Sequence, residues 1–307
     1  MADGAWVAVR FALYADLGLL FGLPFFLLTM GQGAEFWRLF RLARVIALLA
    51  VTGLALSLLG FALLAAQMSG APLGQLDPAI AQVLLTQTAL GWALIVRIAA
   101  LILACGVALF IRDGAAKRWL LAGCGGLAVA TLAWSGHGAA DVGVEGLLHL
   151  GGDIVHLLAA AAWMGALVLL LALVSPRGPV TRARVEMAHD ALARFGNAGT
   201  AIVALIVATG LLNGAFIVGM DGLMTLGGSL YGQLLLAKLL LFAGMLVCAA
   251  LNRFRLTPAL QTALDSGNEQ AAFALLRRSV AIETALAMLV LALVAWLGTL
   301  EPPLSGM

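Results

Sequence analysis

A chain of 307 residues that is 63% hydrophobic and 10% charged, with a mean hydropathy of +1.08, is far more apolar than a soluble domain. A formal net charge of +2 without a basic tail or low-complexity tract excludes nucleic acid as the partner and leaves the lipid bilayer and its two faces. Leu, Ala and Gly dominate and strand-like alternation is absent, so the expected fold is all-α, a polytopic membrane protein rather than a barrel.

Eight stretches meet the ~20-residue requirement for a helix to cross a bilayer. They are residues 6–30, 43–68, 89–111, 119–137, 147–174, 197–218, 231–252 and 280–300, a single eight-helix domain covering 1–307. Met1 to Trp6 lacks the basic region and cleavage site of a signal peptide, so the first run reads as a retained helix, with Arg10 and Asp16 inside it. The second run ends at Met68, the third contains Arg97, and the fourth closes on Trp134-Ser135-Gly136-His137. The fifth contains His149, Asp153 and His156, and Met220 and Met224 follow the sixth. Lys238 lies in the seventh run and Glu283 in the eighth.

Eight crossings put both termini on one side, and the basic residues say which. Fourteen of the 17 Lys and Arg lie in alternate connections, from Arg38, Arg41 and Arg44 to Arg253, Arg255, Arg277 and Arg278. The positive-inside rule makes those connections cytoplasmic and both termini periplasmic. The opposite face carries Asp3, Asp77, Asp141, Glu145, Asp221 and Glu301, an acidic surface suited to cation capture. Within the third basic connection, Val185, Ala188, Leu192 and Phe195 recur at helical spacing opposite Arg182, Arg184 and Arg194, which predicts a short helix lying at the interface. His189 on that segment reads as a solvated surface histidine.

His149, Asp153 and His156 stand at i, i+4 and i+7, one face of one helix over two turns. His137 and His149 both fall near the outer surface, and His156 lies deeper. Ionisable groups at membrane depth face the bundle interior and mark a site or a pathway. Imidazole suits copper and zinc, and a neighbouring carboxylate either ligates or holds a ring in one tautomer. The candidate metal residues are therefore His137, His149, Asp153 and His156, against the alternative of a structural hydrogen-bonded pair with an interfacial histidine. Met68, Met220 and Met224 form a secondary thioether set that packing would explain equally simply. Cys105, Cys124 and Cys248 sit at similar depth towards the basic side, which fits a thiolate exit site or three ordinary buried thiols.

Arg10, Asp16, Arg97, Lys238 and Glu283 are the remaining charges inside the spans. They form either a structural salt-bridge network or one that polarises the ligands and links proton movement to ion passage. Three cations near the route argue against a simple open cation pore.

The motifs "SGHGAAD", "HLGGDIVHLLAAAAWMGAL", "TGLLNGAF", "LYGQLLLAKLLLFAGMLVCAALNRFRLTPAL" and "RRSVAIETALAMLVLALVAWLGTLEPP" together resemble the copper resistance protein D family of bacterial inner membranes, over all eight spans. The resemblance implies an inner-membrane protein of copper homeostasis that moves copper from periplasm towards cytoplasm, with a small periplasmic CopC-like copper-binding protein as partner. Only Met1 to Ala5 precede the first span, so such a partner is expected to be a separate chain. It further implies that His137, His149 and His156 correspond to the outer-half histidines of the family. No phosphate-binding loop is present, so direct ATP hydrolysis is not expected and the chain is not read as an enzyme. Two other readings stay open: a copper sensor or assembly factor that binds without transport, and a b-haem redox protein with Arg10, Arg97 or Lys238 on the propionates. The haem reading is disfavoured because helix 4 offers only the terminal His137. Cu(I) and Cu(II) are not distinguished by the sequence.

Overall fold

The structure, a computed structural model, describes residues 2–29, 37–70, 77–135, 143–175, 181–218, 226–266 and 269–300. Every regular element among them is helical. The α-helices are α1 (Ala2–Thr29), α2 (Leu42–Ser69), α3 (Pro78–Gln87), α4 (Ala89–Phe110), α5 (Ala115–Ala130), α6 (Gly143–Val174), α7 (Arg182–Ile217), α8 (Leu230–Leu251), α9 (Thr257–Ser266) and α10 (Glu269–Leu297). A 3-10 turn, Thr131–Ser135, continues α5, and a π turn, Asn252–Leu256, joins α8 to α9.

Local chemistry sets the helix starts. Asp77 accepts from the Ala79 N–H at 2.8 Å ahead of Pro78, Thr88 accepts from Gly91 N–H at 3.0 Å, and Ser229 accepts from Gly232 N–H at 3.0 Å. Each side chain satisfies one of the donors that a helix start leaves open.

Seven helical stretches among the described residues are long and apolar enough to cross a membrane. The expected fourth span, 119–137, differs: its α-helix has 16 residues and tightens into the 3-10 turn at Thr131. Arg97 from α4 explains the change of geometry. Its Nε donates to Thr131 Oγ1 at 2.8 Å and its Nη2 to Thr131 O at 3.1 Å, so the carbonyl is engaged from outside the helix. At about 1.5 Å per α residue and 2.0 Å per 3-10 residue, the combined rod is still about 34 Å long.

The expected interfacial helix is also different. It is continuous with the sixth span as one 36-residue helix, α7. Its apolar face is buried inside the protein, with Val185 and Ala188 fully enclosed and α9 packed beside it. Arg253 bridges the polar point at which a break would fall, donating to Gly196 O at 2.5 Å and to Thr200 Oγ1. A separate short helix, α9, lies in the next basic connection, between α8 and α10.

The core is organised around α1 and α6. Helix α1 packs on α2, α5, α6 and α10, and α6 packs on α1, α7 and α10. The α1–α6 crossing depends on Gly22 and Gly165: a Cβ on Gly165 would lie 2.2 Å from the Gly22 carbonyl carbon. Small residues allow this close approach of backbones in lipid, where dispersion replaces the hydrophobic drive. The result is an α6 packed closely on α1 by one face, with polar groups carried on another.

Candidate metal site on helices α6 and α7

The polar line on α6 meets a matching line on α7. The two helices pack against each other, and three side chains of one pair in antiparallel order with three of the other. His156 Nδ1 lies 3.0 Å from Thr209 Oγ1, Asn213 Nδ2 donates to Asp153 Oδ1 at 2.5 Å, and the His149 ring stacks on Phe216 with centroids 4.8 Å apart and planes at 12°. Thr209, Asn213 and Phe216 stand at i, i+4 and i+7, the same spacing as His149, Asp153 and His156, so the rungs are in register. Gly152 lets the helices close up here, since a Cβ on it would come within 2.8 Å of Leu212 Cδ2.

Hydrogen-bond direction is fixed at the His156 rung. The Thr209 hydroxyl donates to Leu205 O at 2.6 Å, and a hydroxyl has a single proton. Thr209 Oγ1 is therefore the acceptor, Nδ1 of His156 carries the proton, and Nε2 of the neutral ring keeps its lone pair for a cation. This is how a neighbouring acceptor orients a metal-binding histidine. His149 is only 2% exposed and held by its aromatic stack. Asn213 Oδ1 is buried and without a hydrogen-bond partner, a spare oxygen beside the Asp153 carboxylate. Lys238 and Tyr231 of α8 face the same region, Lys238 within electrostatic range of Asp153 and His156, and Tyr231 within range of Asp153.

Among the described residues no three His, Cys, Asp or Glu side chains converge on one point. His149, Asp153 and His156 are strung along about 10 Å of helix at 1.5 Å per residue, successive stations rather than a closed cage. His137, Met220 and Met224 lie outside the described residues. Met68 is at the end of α2 and 61% exposed. Cys105, Cys124 and Cys248 are free thiols, and His189 sits 3.4 Å from Asp190 Oδ1 on a half-buried stretch of α7.

One turn pattern further along α6 lies a second polar station. Trp163, seven residues after His156, donates from Nε1 to Glu283 Oε1 at 2.9 Å, and Asn252 Nδ2 donates to Glu283 Oε2 at 2.8 Å. Glu283 is 2% exposed, and Asn252 opens the π turn, a distortion that recurs at functional positions.

Four of the five charges within the spans take neutral partners, while Lys238 interacts electrostatically with Asp153. Arg10 donates to Tyr14 Oη at 3.0 Å, Arg97 to Thr131, Asp16 accepts from Thr52 Oγ1, and Glu283 accepts from Trp163 and Asn252. Among the described residues no two of Arg10, Asp16, Arg97, Lys238 and Glu283 form an ion pair. Sequence reasoning overlooked Thr209, Asn213, Phe216, Trp163 and Asn252. The signal for the first three was present in "TGLLNGAF", whose polar and aromatic members repeat the i, i+4, i+7 spacing of the fifth span.

Two family descriptions match the chain: Copper resistance protein D-like, N-terminal domain, over residues 1–147, and Copper resistance protein D over residues 189–297. Copper resistance protein D of Pseudomonas syringae pv. tomato is 41% identical over 311 aligned positions, covering 100% of this chain and 99% of that one. Inner membrane protein YebZ of Escherichia coli (strain K12) is 33% identical over 174 positions, 56% of this chain and 55% of its own. Copper transport protein CutJ of Bacillus subtilis (strain 168) is 36% identical over 101 positions, 33% of this chain and 18% of its own. No solved structure gives a significant match.

Proposed function

The chain belongs to the copper resistance protein D family, and on that premise we propose that it takes up copper ions on the periplasmic face of a bacterial inner membrane and moves them towards the cytoplasm. In this reading the bundle crosses the membrane eight times with both termini periplasmic. The fourteen basic residues in alternate connections support that orientation. His137 receives the ion at the mouth, His149 and Asp153 hold it on the first turns of α6, and His156 is the deepest ligand. The chain is a carrier rather than an enzyme. The acidic outer face is where a separate CopC-like protein would deliver copper.

The observation that carries the proposal is the register of α6 on α7. Thr209 fixes the tautomer that leaves His156 Nε2 open, and Asn213 holds the Asp153 carboxylate. Passage needs sites that bind in few bonds and release, because a closed four-ligand cage would trap the ion. Ligands spaced along a helix and oriented by a neighbouring one meet that need.

The test is copper uptake into proteoliposomes, with metal analysis of the same preparations. His149→Ala and His156→Ala are each expected to lower bound copper and uptake. Undiminished uptake in both variants would sink the route, and bound copper without uptake in the wild type would leave a sensor or assembly role. A Soret band from purified protein would replace the copper reading with haem.

A further inference from the structure

A cavity outside the α6–α7 interface is lined by two arginines that the copper route does not use. It has a volume of about 60 Å³ and lies between α1, α2, α4 and the 3-10 turn, walled mainly by aliphatic side chains with Trp6, Tyr14 and Phe61. Arg10 and Arg97 project into it from α1 and α4, and they are 8% and 7% exposed. Arg10 Nη2 donates to Tyr14 Oη, while its Nε is buried with no hydrogen-bond partner. Arg97 spends two donors on Thr131. Among the described residues neither guanidinium has a carboxylate within ion-pair distance.

Two buried cations with no carboxylate partner among the described residues are costly in a medium of low dielectric. Arginines also persist in the chain's apolar spans only where something at that depth engages them. One of them packs directly on a glycine: a Cβ on Gly298 would lie 2.1 Å from Arg10 Nη2 and would displace the guanidinium. The Arg10 guanidinium also lies 5.8 Å from the Trp6 ring and 5.6 Å from the Tyr14 ring, contacts that position a cation but do not neutralise it.

We propose that this cavity binds the phosphate of an anionic phospholipid. Guanidinium groups present paired donors matched to phosphate oxygens, and the unpartnered Nε of Arg10 is one such donor. Arg10 and Arg97 each lie about 12 Å from the starts of α1 and α4 at 1.5 Å per residue, where long basic side chains meet lipid headgroups. The apolar and aromatic walls select a phosphate that arrives with hydrocarbon attached over a free anion. This site is independent of the copper reading, and its test contains no metal.

The experiment is native mass spectrometry of the full chain in detergent, titrated with phosphatidylglycerol and with phosphatidylcholine of identical acyl chains. One phosphatidylglycerol is expected to bind about tenfold more tightly than phosphatidylcholine, because both carry the phosphate but the quaternary ammonium of phosphatidylcholine is repelled by the two guanidinium groups. The double variant Arg10→Gln with Arg97→Gln should reduce that preference to about twofold or less. Gly60→Leu fills the cavity with both arginines intact, and should do the same at unchanged elution volume and helical circular dichroism. Should the double variant not fold, Gly60→Leu decides. Equal binding of the two lipids by the wild type, or an undiminished preference in Gly60→Leu, would overturn the proposal. Displacement of the bound lipid by equimolar inorganic phosphate would also overturn it, in favour of a free-anion site.

Discussion

His156 Nδ1 donates to Thr209 Oγ1 across the α6–α7 interface at 3.0 Å, because the Thr209 hydroxyl has already given its proton to Leu205 O at 2.6 Å. A threonine on one helix thereby decides which nitrogen of a histidine on another can meet a cation. Thr209→Val keeps the shape and removes the acceptor. The ring then loses its tautomer preference, and copper affinity should fall about tenfold to a hundredfold, the range for losing an orienting partner of a metal-binding histidine. Thr209→Ser should restore it. A competition titration with a copper chelator reads both, and equal affinities for the wild type and Thr209→Val would remove the orienting role.

The α6 half of this pairing was legible in the sequence and the α7 half was not. His149, Asp153 and His156 stand out because each is rare in an apolar run and their spacing is helical. Thr209, Asn213 and Phe216 are ordinary members of membrane helices, and only the packing of α7 on α6 gives them a meaning. Hydropathy pointed to a helix in each of the eight expected stretches but not to α3, and two boundaries depended on contacts between distant residues. Arg97 reaching Thr131 tightens the end of α5, and Arg253 reaching Gly196 carries α7 through a polar segment. The mixed charges within the spans suggested a salt-bridge network because sequence lists charges but not their neighbours. Hydroxyl, indole and amide partners serve the arginines and acids instead.

Glu283 is the acceptor for two buried donors, Trp163 Nε1 and Asn252 Nδ2. Glu283→Leu strands both, and each stranded donor costs about 1–3 kcal/mol. Glu283→Gln retains a carbonyl oxygen for one of them and should lose less. Thermal melts in detergent are expected to rank wild type above Glu283→Gln above Glu283→Leu. Adding Trp163→Phe to Glu283→Leu should cost less than the sum of the single changes, because one stranded donor disappears. Strict additivity would show that the pair does not interact.

The α1–α6 crossing predicts a contrast between two glycines in helices. A Cβ on Gly165 would lie 2.2 Å from the Gly22 carbonyl carbon, backbone that cannot yield, whereas a Cβ on Gly106 of α4 meets nothing within 4 Å. Gly165→Ala should destabilise by about 1–3 kcal/mol or more through overpacking. Gly106→Ala should be neutral or stabilising by up to about 1 kcal/mol, since alanine is the better helix former. A melting temperature for Gly165→Ala equal to that of Gly106→Ala would refute the close approach.

Asp113, in the connection between α4 and α5, ties three elements at the basic end of the bundle. Its Oδ1 accepts from Lys117 Nζ at 3.0 Å and from Trp37 Nε1 at 2.9 Å, and Lys117 also lies 5.4 Å from the Trp37 ring. The hydrogen bond from Lys117, followed by that from Trp37, outweighs burial and holds the Asp113 carboxyl below its ordinary value of 3.8. A carboxyl whose pKa is depressed on folding contributes stability above its unfolded pKa, and the contribution is lost as pH falls through the folded one. Asp113→Asn should therefore melt below the wild type at neutral pH. The gap should stay constant down to about pH 4 and close at still lower pH, where the wild type protonates. The gap will be small, because the Asp113 side chain is 56% exposed and solvent screens the pair. A gap that widened on acidification would mean that the carboxyl is protonated more readily in the folded state than in the unfolded chain, the opposite of what the Lys117 and Trp37 contacts dictate.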